Sequence, residues 1–286
     1  MTATTSVSVV VATRDRPTLL ARCLAALDAQ TLEPVEVVVV DDASRDRATV
    51  AAVVARAPRA RLVRGEGRGP AAARNLGAAA ARGTVLAFTD DDCAPVPDWL
   101  AELVPVVECA DAAAGPTRAP AGAAAVVRAS QTIASYLAEA TMEPATGRMR
   151  FAPTSNLAGR ASTFAQLPFD ERFASAAGED REWCARLQDR GGVLRFAPGA
   201  VVHHHQQLTL RTFWRQQRRY GGGAQRFHRA GRGLAAPSFY TGLVRAGSAH
   251  GPLVGALVLL AQVATSVGYL EGAFEQRRAR PPLSRA

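Results

Sequence analysis

The chain contains no lysine: its 34 Lys+Arg residues are all arginine. A compositional preference for arginine accounts for that absence but not for a second one. No Asp or Glu lies between Asp189 and Glu271, while Arg211, Arg215, Arg218, Arg219, Arg226, Arg229 and Arg232 crowd the interval. Guanidinium forks suit phosphate. The segment therefore fits a diphosphate ligand or an anionic membrane surface, with nucleic acid the less favoured partner. Cysteine is scarce. Cys23, Cys93, Cys109 and Cys184 show no C-x-x-C spacing, which argues against a zinc ribbon and a disulfide framework and for a reducing compartment. No basic stretch precedes the first apolar run, so a secretory signal is not expected. No G-x-G-x-x-G follows that run and no G-x-x-x-x-G-K-[ST] occurs anywhere, so neither a dinucleotide fold nor a P-loop NTPase is supported. There are no tandem repeats. The longest apolar stretch, Leu253 to Leu270, is interrupted by Gln262, Thr265, Ser266 and glycines. It reads as a packed or peripheral helix rather than a membrane span.

What is present is alternation. The 286 residues, 48% of them apolar, suit a large core. Ser6–Ala12 is a β-branched run without polar period, as in a buried parallel strand. Val35–Val40 is a second, Arg61–Arg64 a weak third and Val85–Phe88 a fourth. Helical patterns after Pro17, over Ala48–Ala55 and over Ala71–Ala81 separate them. This alternation predicts an α/β fold with a mostly parallel, Rossmann-like sheet flanked by helices. The second half is less regular. Helices are expected over Val126–Ala140 and Glu179–Arg190, and a strand over Val193–Phe196. A basic helix is expected from Leu208 to about Tyr220, broken by Gly221-Gly222-Gly223.

The strands end in polar groups: Thr13, Asp41-Asp42, and Asp90-Asp91-Asp92. In open α/β sheets ligands sit beyond the carboxyl ends of the strands. Three adjacent carboxylates repel one another, and a divalent cation relieves that. Hard oxygen ligands with positions left for phosphate suit Mg²⁺ or Mn²⁺. The plainer alternative makes the triplet a helix-capping cluster ahead of Pro97-Asp98-Trp99-Leu100. Gly69 to Gly77, a loop entering a helix and carrying Arg74, also suits phosphate. His203-His204-His205 lacks the spacing of a zinc site.

In order along the chain, V-V-V-A-T-R-D-R-P (9–17), V-V-D-D-A-S (39–44), A-A-R-N-L-G (72–77), F-T-D-D-D (88–92) with P-D-W-L (97–100), S-N-L-A (155–158), G-E-D (178–180) and the His run resemble family 2 glycosyltransferases of the GT-A fold. The resemblance covers roughly residues 5 to 225. It implies an inverting, metal-dependent transfer of a sugar from a nucleoside diphosphate sugar to an acceptor hydroxyl. It implies a catalytic domain over 1–205, with a nucleotide-binding half (1–100) and an acceptor half (101–205), followed by a basic helical extension (206–286). Thr13, Arg14, Asp41, Asp42 and Arg74 would line the donor pocket. Asp90 would face the ribose and share the Mg²⁺ or Mn²⁺ with Asp92 and His203. Asp91, also on the donor side, is expected to be a solvated bystander. Asp180 is the expected base, with Glu179 second; the plain alternative is that both cap the helix running to Arg190. Asn156 and Trp183 are assigned to the acceptor, Arg218 and Arg219 to the diphosphate. Gln216-x-x-Arg219-Tyr220 is similar to the Q-x-x-R-W element of processive members, with Tyr for Trp. The expected location is cytoplasmic, peripheral at the inner face of the membrane. Two other readings are a nucleotidyltransferase, whose early Gly-rich loop is missing here, and a non-catalytic nucleotide-sugar or nucleic-acid binding module.

Overall fold

The computed structural model describes residues 5–173, 177–229 and 236–279. The first half alternates as its pattern requires: β1 (Val7–Thr13), α1 (Pro17–Asp28), β2 (Glu36–Asp41), α2 (Arg47–Val54), β3 (Ala60–Arg64), α3 (Pro70–Ala80) and β4 (Val85–Asp90). The four strands pair in parallel in the order β3-β2-β1-β4. Every residue of β2 is buried, which is why the strand reads as an unbroken apolar run rather than an alternating one. Pro17 occupies the first turn of α1, where its missing N–H costs nothing. The helix then buries Leu19, Leu20, Cys23, Leu24 and Leu27. Register sets the geometry that matters. Thr13 pairs with Asp41, Asp41 with Arg64, and Ala12 with Asp90. The polar strand ends therefore stand in line along one edge.

The chain continues with β5 (Cys93–Pro95), α4 (Trp99–Glu108), β6 (Ala112–Ala114), β7 (Thr117–Arg118), α5 (Ala125–Glu139), β8 (Leu157–Arg160), α6 (Ala161–Gln166), α7 (Glu179–Asp189), β9 (Leu194–Phe196) and β10 (Val202–His204). β8 runs antiparallel to β4 and extends the sheet through β6 to β9, while β5, β10 and β7 form a small second sheet. Strands as short as these, several of Ala and Gly, carry no β signal of their own; pairing decides them. Beneath β4, Phe88 meets Phe164 edge-on at 4.6 Å and Phe164 stacks on Trp183 at 4.9 Å.

Two compact units divide the chain: residues 1–122 with 137–206, and 123–136 with 207–286. The second, helical unit thus also takes the first part of α5. It contains α8 (Leu210–Arg229), α9 (Pro237–Ala249) and α10 (Pro252–Ala279). The break expected at Gly221–Gly223 is absent, and α8 runs straight through it. The glycines serve contact instead. A Cβ on Gly221 would lie 2.0 Å from the Thr265 carbonyl oxygen, and one on Gly268 would lie 1.8 Å from that of Arg218. Two helix backbones approach here at a distance only glycine permits. Phe213, Leu243, Val254, Val258 and Ala261 form the unit's core with Ala129. Residues 252–274 are long and apolar enough to cross a membrane by length and composition, and a third of that helix window is buried.

Candidate active site

The acid triplet closes β4 and is not a cap. Asp90 is the last residue of β4, β5 intervenes, and Asp98 holds the N-cap position of α4. Each carboxylate has a cationic partner. Arg74 Nη2 reaches Asp90 Oδ1 at 2.8 Å. Arg16 forks, its Nη2 at 2.8 Å from Asp91 Oδ1 and its Nη1 at 2.9 Å from Asp92 Oδ2. His204 Nε2 lies 3.1 Å from Asp92 Oδ1. Asp91 is therefore no solvated bystander. It is fully buried and accepts a 2.7 Å hydrogen bond from Thr13 Oγ1. Burial, followed by the like charge of Asp92, pushes its carboxyl up to about 7 against the pull of Arg16 and Thr13.

The expected histidine is shifted by one. β10 pairs antiparallel with β5 so that His204 stands opposite Cys93 and His203 opposite Ala94. Directly opposed residues share a face, and a one-residue step reverses it. His204 therefore shares the face of Cys93, and from the turn before β5 Asp92 reaches across to His204 rather than His203. The His205 N–H donates to the Asp92 carbonyl at 2.7 Å and fixes this register. Burial works against the His204 imidazolium, but Asp92 outweighs it and holds the imidazole's pKa above its usual value. Burial likewise opposes the Asp92 anion, and His204 and Arg16 hold its carboxyl below the usual range. Oxygen of Asp92, sulfur of Cys93 and nitrogen of His204 all lie within 4.8 Å of one another. Such a donor set fits a divalent cation.

A second acid pair opens α7. Gly178 caps the helix in a left-handed conformation (φ 98°), and Glu179 and Asp180 occupy its first turn. The capping alternative accounts for only part of their surroundings. Arg74 is buried, and its Nη1 reaches Glu179 Oε1 at 2.9 Å while Nη2 holds Asp90. Arg74 therefore bridges the two acid clusters. Trp183, one turn on from Glu179, packs that face of α7 on the aromatic cluster. Asp180 has no ion pair among the described residues and accepts only the neighbouring Arg181 N–H, at 2.7 Å. Removal from water and then the Glu179 charge raise its carboxyl well above the usual range.

Several expected contacts are occupied by the fold itself. Asp41 accepts the Ser44 N–H at 2.9 Å and pairs with Arg64. Asp42 clamps the loop before α3, accepting the N–H groups of Gly67 and Gly69, both at 2.9 Å. Arg14 is exposed at the same edge. Asn156 is fully buried, so its assignment to the acceptor is corrected. Its Oδ1 accepts from Trp99 Nε1 at 2.8 Å, and its Nδ2 donates to the carbonyls of Ala200 and Pro116. Trp183 is also core, its Nε1 donating to the Leu167 carbonyl at 2.7 Å. Arg218 and Arg219 lie in the helical unit, where Arg218 pairs with Glu271 at 2.9 Å. The sequence reading missed Arg16 and Asn75. Three clustered carboxylates are themselves a signal for a nearby cation such as Arg16. Asn75 mimics a backbone strand, donating to the Phe169 carbonyl and accepting the Phe169 N–H, and its sequence gives no such sign.

A carboxylate-rich carboxyl edge of a mostly parallel sheet, extended by an antiparallel strand, is the arrangement of a GT-A-type fold. The model of glycosyl transferase family 2 matches residues 8–170, and the chain belongs to that family. It is 32% identical over 170 residues to the pre-mycofactocin glycosyltransferase of Mycobacterium tuberculosis, matching 55% of this chain and 34% of that protein. The chain thus spans about a third of the length of that relative. Among solved structures it is similar to the mannosyltransferase PcManGT from Pyrobaculum calidifontis in complex with GDP-Man and Mn²⁺ (TM-score 0.62, 21% identity, 97% of this chain and 80% of that one). It is also similar to GalNAc-T7 with UDP, GalNAc and Mn²⁺ (TM-score 0.57, 18% identity, 97% and 59%).

Proposed function

We propose that this chain transfers a sugar from a nucleoside diphosphate sugar to an acceptor hydroxyl, with inversion, and that Asp180 is the general base. One observation carries the reading. Among the described residues Asp180 makes no ion pair, and it stands beside Glu179, which is tied to the donor-side strand through Arg74. A carboxylate so placed takes a proton readily near neutrality. The acceptor oxygen attacks the anomeric carbon as its proton passes to Asp180. The bond from that carbon to the diphosphate oxygen breaks, and the nucleoside diphosphate leaves with the electron pair.

Asp92 and His204, with Asp90 nearby, are the residues to hold Mg²⁺ or Mn²⁺; when bound, the cation supplies Lewis-acid stabilisation of the departing diphosphate. Arg16, half-exposed and paired with Asp91 and Asp92, is the counter-charge of this edge and the residue assigned to the donor phosphate. Arg14 and the loop clamped by Asp42 are the donor-side surface. The two solved neighbours, which hold GDP-Man or UDP together with Mn²⁺, support this choice of donor class and metal.

The acceptor is a hydroxyl compound, saccharide, lipid-linked or small. The enzyme is cytoplasmic and peripheral to an anionic inner membrane face. Exposed Arg211, Arg215, Arg218 and Arg219 on α8 support that location, as does an exposed stripe of Leu259, Val263, Leu270 and Phe274 on α10. Incubation with nucleoside diphosphate sugars, Mn²⁺ and a panel of hydroxyl acceptors tests the function. The expected product carries the opposite anomeric configuration to the donor. Retained configuration, or release of pyrophosphate instead of nucleoside diphosphate, overturns the reading.

A further inference from the structure

The candidate cation site contains a sulfur atom that an Mg²⁺ or Mn²⁺ site does not need. Cys93 is buried, and its Sγ lies 4.0 Å from Asp92 Oδ1, the same oxygen that His204 Nε2 approaches at 3.1 Å. All three donor atoms fall within 4.8 Å. Bonds of about 2.3 Å to sulfur and about 2.0–2.2 Å to nitrogen and oxygen give tetrahedral edges of roughly 3.3–3.7 Å. The observed separations bracket that range, so small side-chain shifts complete the set. The backbone is already fixed, because Cys93 and His204 are register partners in β5 and β10 and the His205 N–H holds Asp92 from behind.

We propose that Asp92, Cys93 and His204 form a thiolate-containing site that takes Zn²⁺ and Cd²⁺ more tightly than Mn²⁺ or Mg²⁺. Thiophilic metals then inhibit the enzyme by occupying its own cation site. The proposal rests on the reading of Asp92 and His204 as cation ligands. It adds that Cys93 sets the selectivity. Soft sulfur favours zinc-like metals, and affinity rises from Mn²⁺ to Zn²⁺ for mixed nitrogen, oxygen and sulfur donors. Binding replaces protons by metal. The Cys93 S–H and the imidazolium N–H of His204 each lose one to water, the thiolate and imidazole lone pairs bind the dication, and no electron changes hands. Mg²⁺, which takes oxygen ligands, gains nothing from the sulfur.

Cadmium titration of the whole chain, followed by the ultraviolet thiolate-to-Cd²⁺ charge-transfer band, tests this. The expected result is one band per chain, whose Cd²⁺ titration shifts to higher concentration when Mn²⁺ is added. Cys93→Ser should abolish the band and weaken Cd²⁺ binding by at least the roughly 10–100-fold that even an outer-shell partner is worth, while Mn²⁺ binding is nearly unchanged. Cys109→Ser, at the exposed cysteine, should leave the band intact. A band that survives in Cys93→Ser overturns the proposal. If Cys93→Ser does not fold, competition in the unaltered protein decides: Mn²⁺ should raise the Cd²⁺ concentration that gives half of the band, and a Cd²⁺ titration unmoved by Mn²⁺ overturns it. The failure of the cation reading looks different: Mn²⁺-dependent binding of the nucleotide sugar would survive in Asp92→Ala.

Discussion

The two acid clusters are both built of carboxylates but differ in their counter-charges. At the end of β4, three carboxylates share three cationic side chains, Arg74, Arg16 and His204. At the start of α7, Glu179 takes one arm of Arg74, and Asp180 is left with a single backbone donor. The result is divergent proton affinity. Asp92 is held low by its cationic neighbours, and Asp180 is pushed up by burial and by Glu179; Asp91 is pushed up too, but it is sealed in the core against Thr13 and Arg16. An anion kept charged suits exchange of one cation for another. An anion reluctant to ionise suits proton transfer. Environments that push like groups apart assign the roles, and here the same arginine connects them.

The largest effect is expected where the comparison is cut at its cationic end. Asp92→Ala should lower turnover by at least about 10³-fold, since a bound metal supplies several kcal/mol of transition-state stabilisation. Calorimetry should show the loss of Mn²⁺-dependent donor binding in the same variant, and retained binding would break the assignment. Next is the bridge. Arg74→Met leaves Asp90 and Glu179 facing each other without their shared cation, and should destabilise the fold by about 3–5 kcal/mol in urea unfolding. The triple change of Arg74→Met, Asp90→Asn and Glu179→Gln should recover most of that loss. Full stability of the single variant would show that the bridge is not a structural element.

A subtler change sharpens the Asp180 side. A base works only when deprotonated, so kcat/KM should rise with pH through the raised pKa of Asp180. Glu179→Gln removes the like charge that helps to raise it. The acid limb should therefore move to lower pH, and an unmoved limb assigns it to another group. The smallest effect belongs to the turn after β2. Ala43 stands at φ 62°, a left-handed conformation costly for a side chain with Cβ. Ala43→Gly should stabilise by about 0.5–1 kcal/mol in thermal unfolding.

The sheet was legible because its strands are buried on both faces and so read as unbroken β-branched runs. Ser6–Ala12 and Val35–Val40 lie within one residue of β1 and β2. The short strands were not legible, because Ala112–Ala114 and Leu157–Arg160 acquire their state from partners distant in sequence. The acids of the site were legible from their places at strand ends, but their partners were not. His204 depends on the β5–β10 register and Arg16 on the turn into α1, and neither is a local property. Asn156 and Trp183 misled for a related reason. Polar and aromatic residues near a motif resemble ligand contacts, and in this fold both spend their side-chain hydrogen bonds on other protein groups. Gly221–Gly223 misled through a local rule that tertiary packing overrides: glycine weakens a helix alone and permits close approach in a pair.

The separation of the two clusters is tested most directly by Asp180→Asn, with donor affinity and turnover measured on the same preparation. The expected result is nucleotide-sugar binding within about twofold of the unaltered enzyme and turnover reduced by roughly 10²–10⁴-fold. Normal turnover would contradict the assignment of the base, and loss of donor binding together with turnover would place Asp180 with the cation cluster.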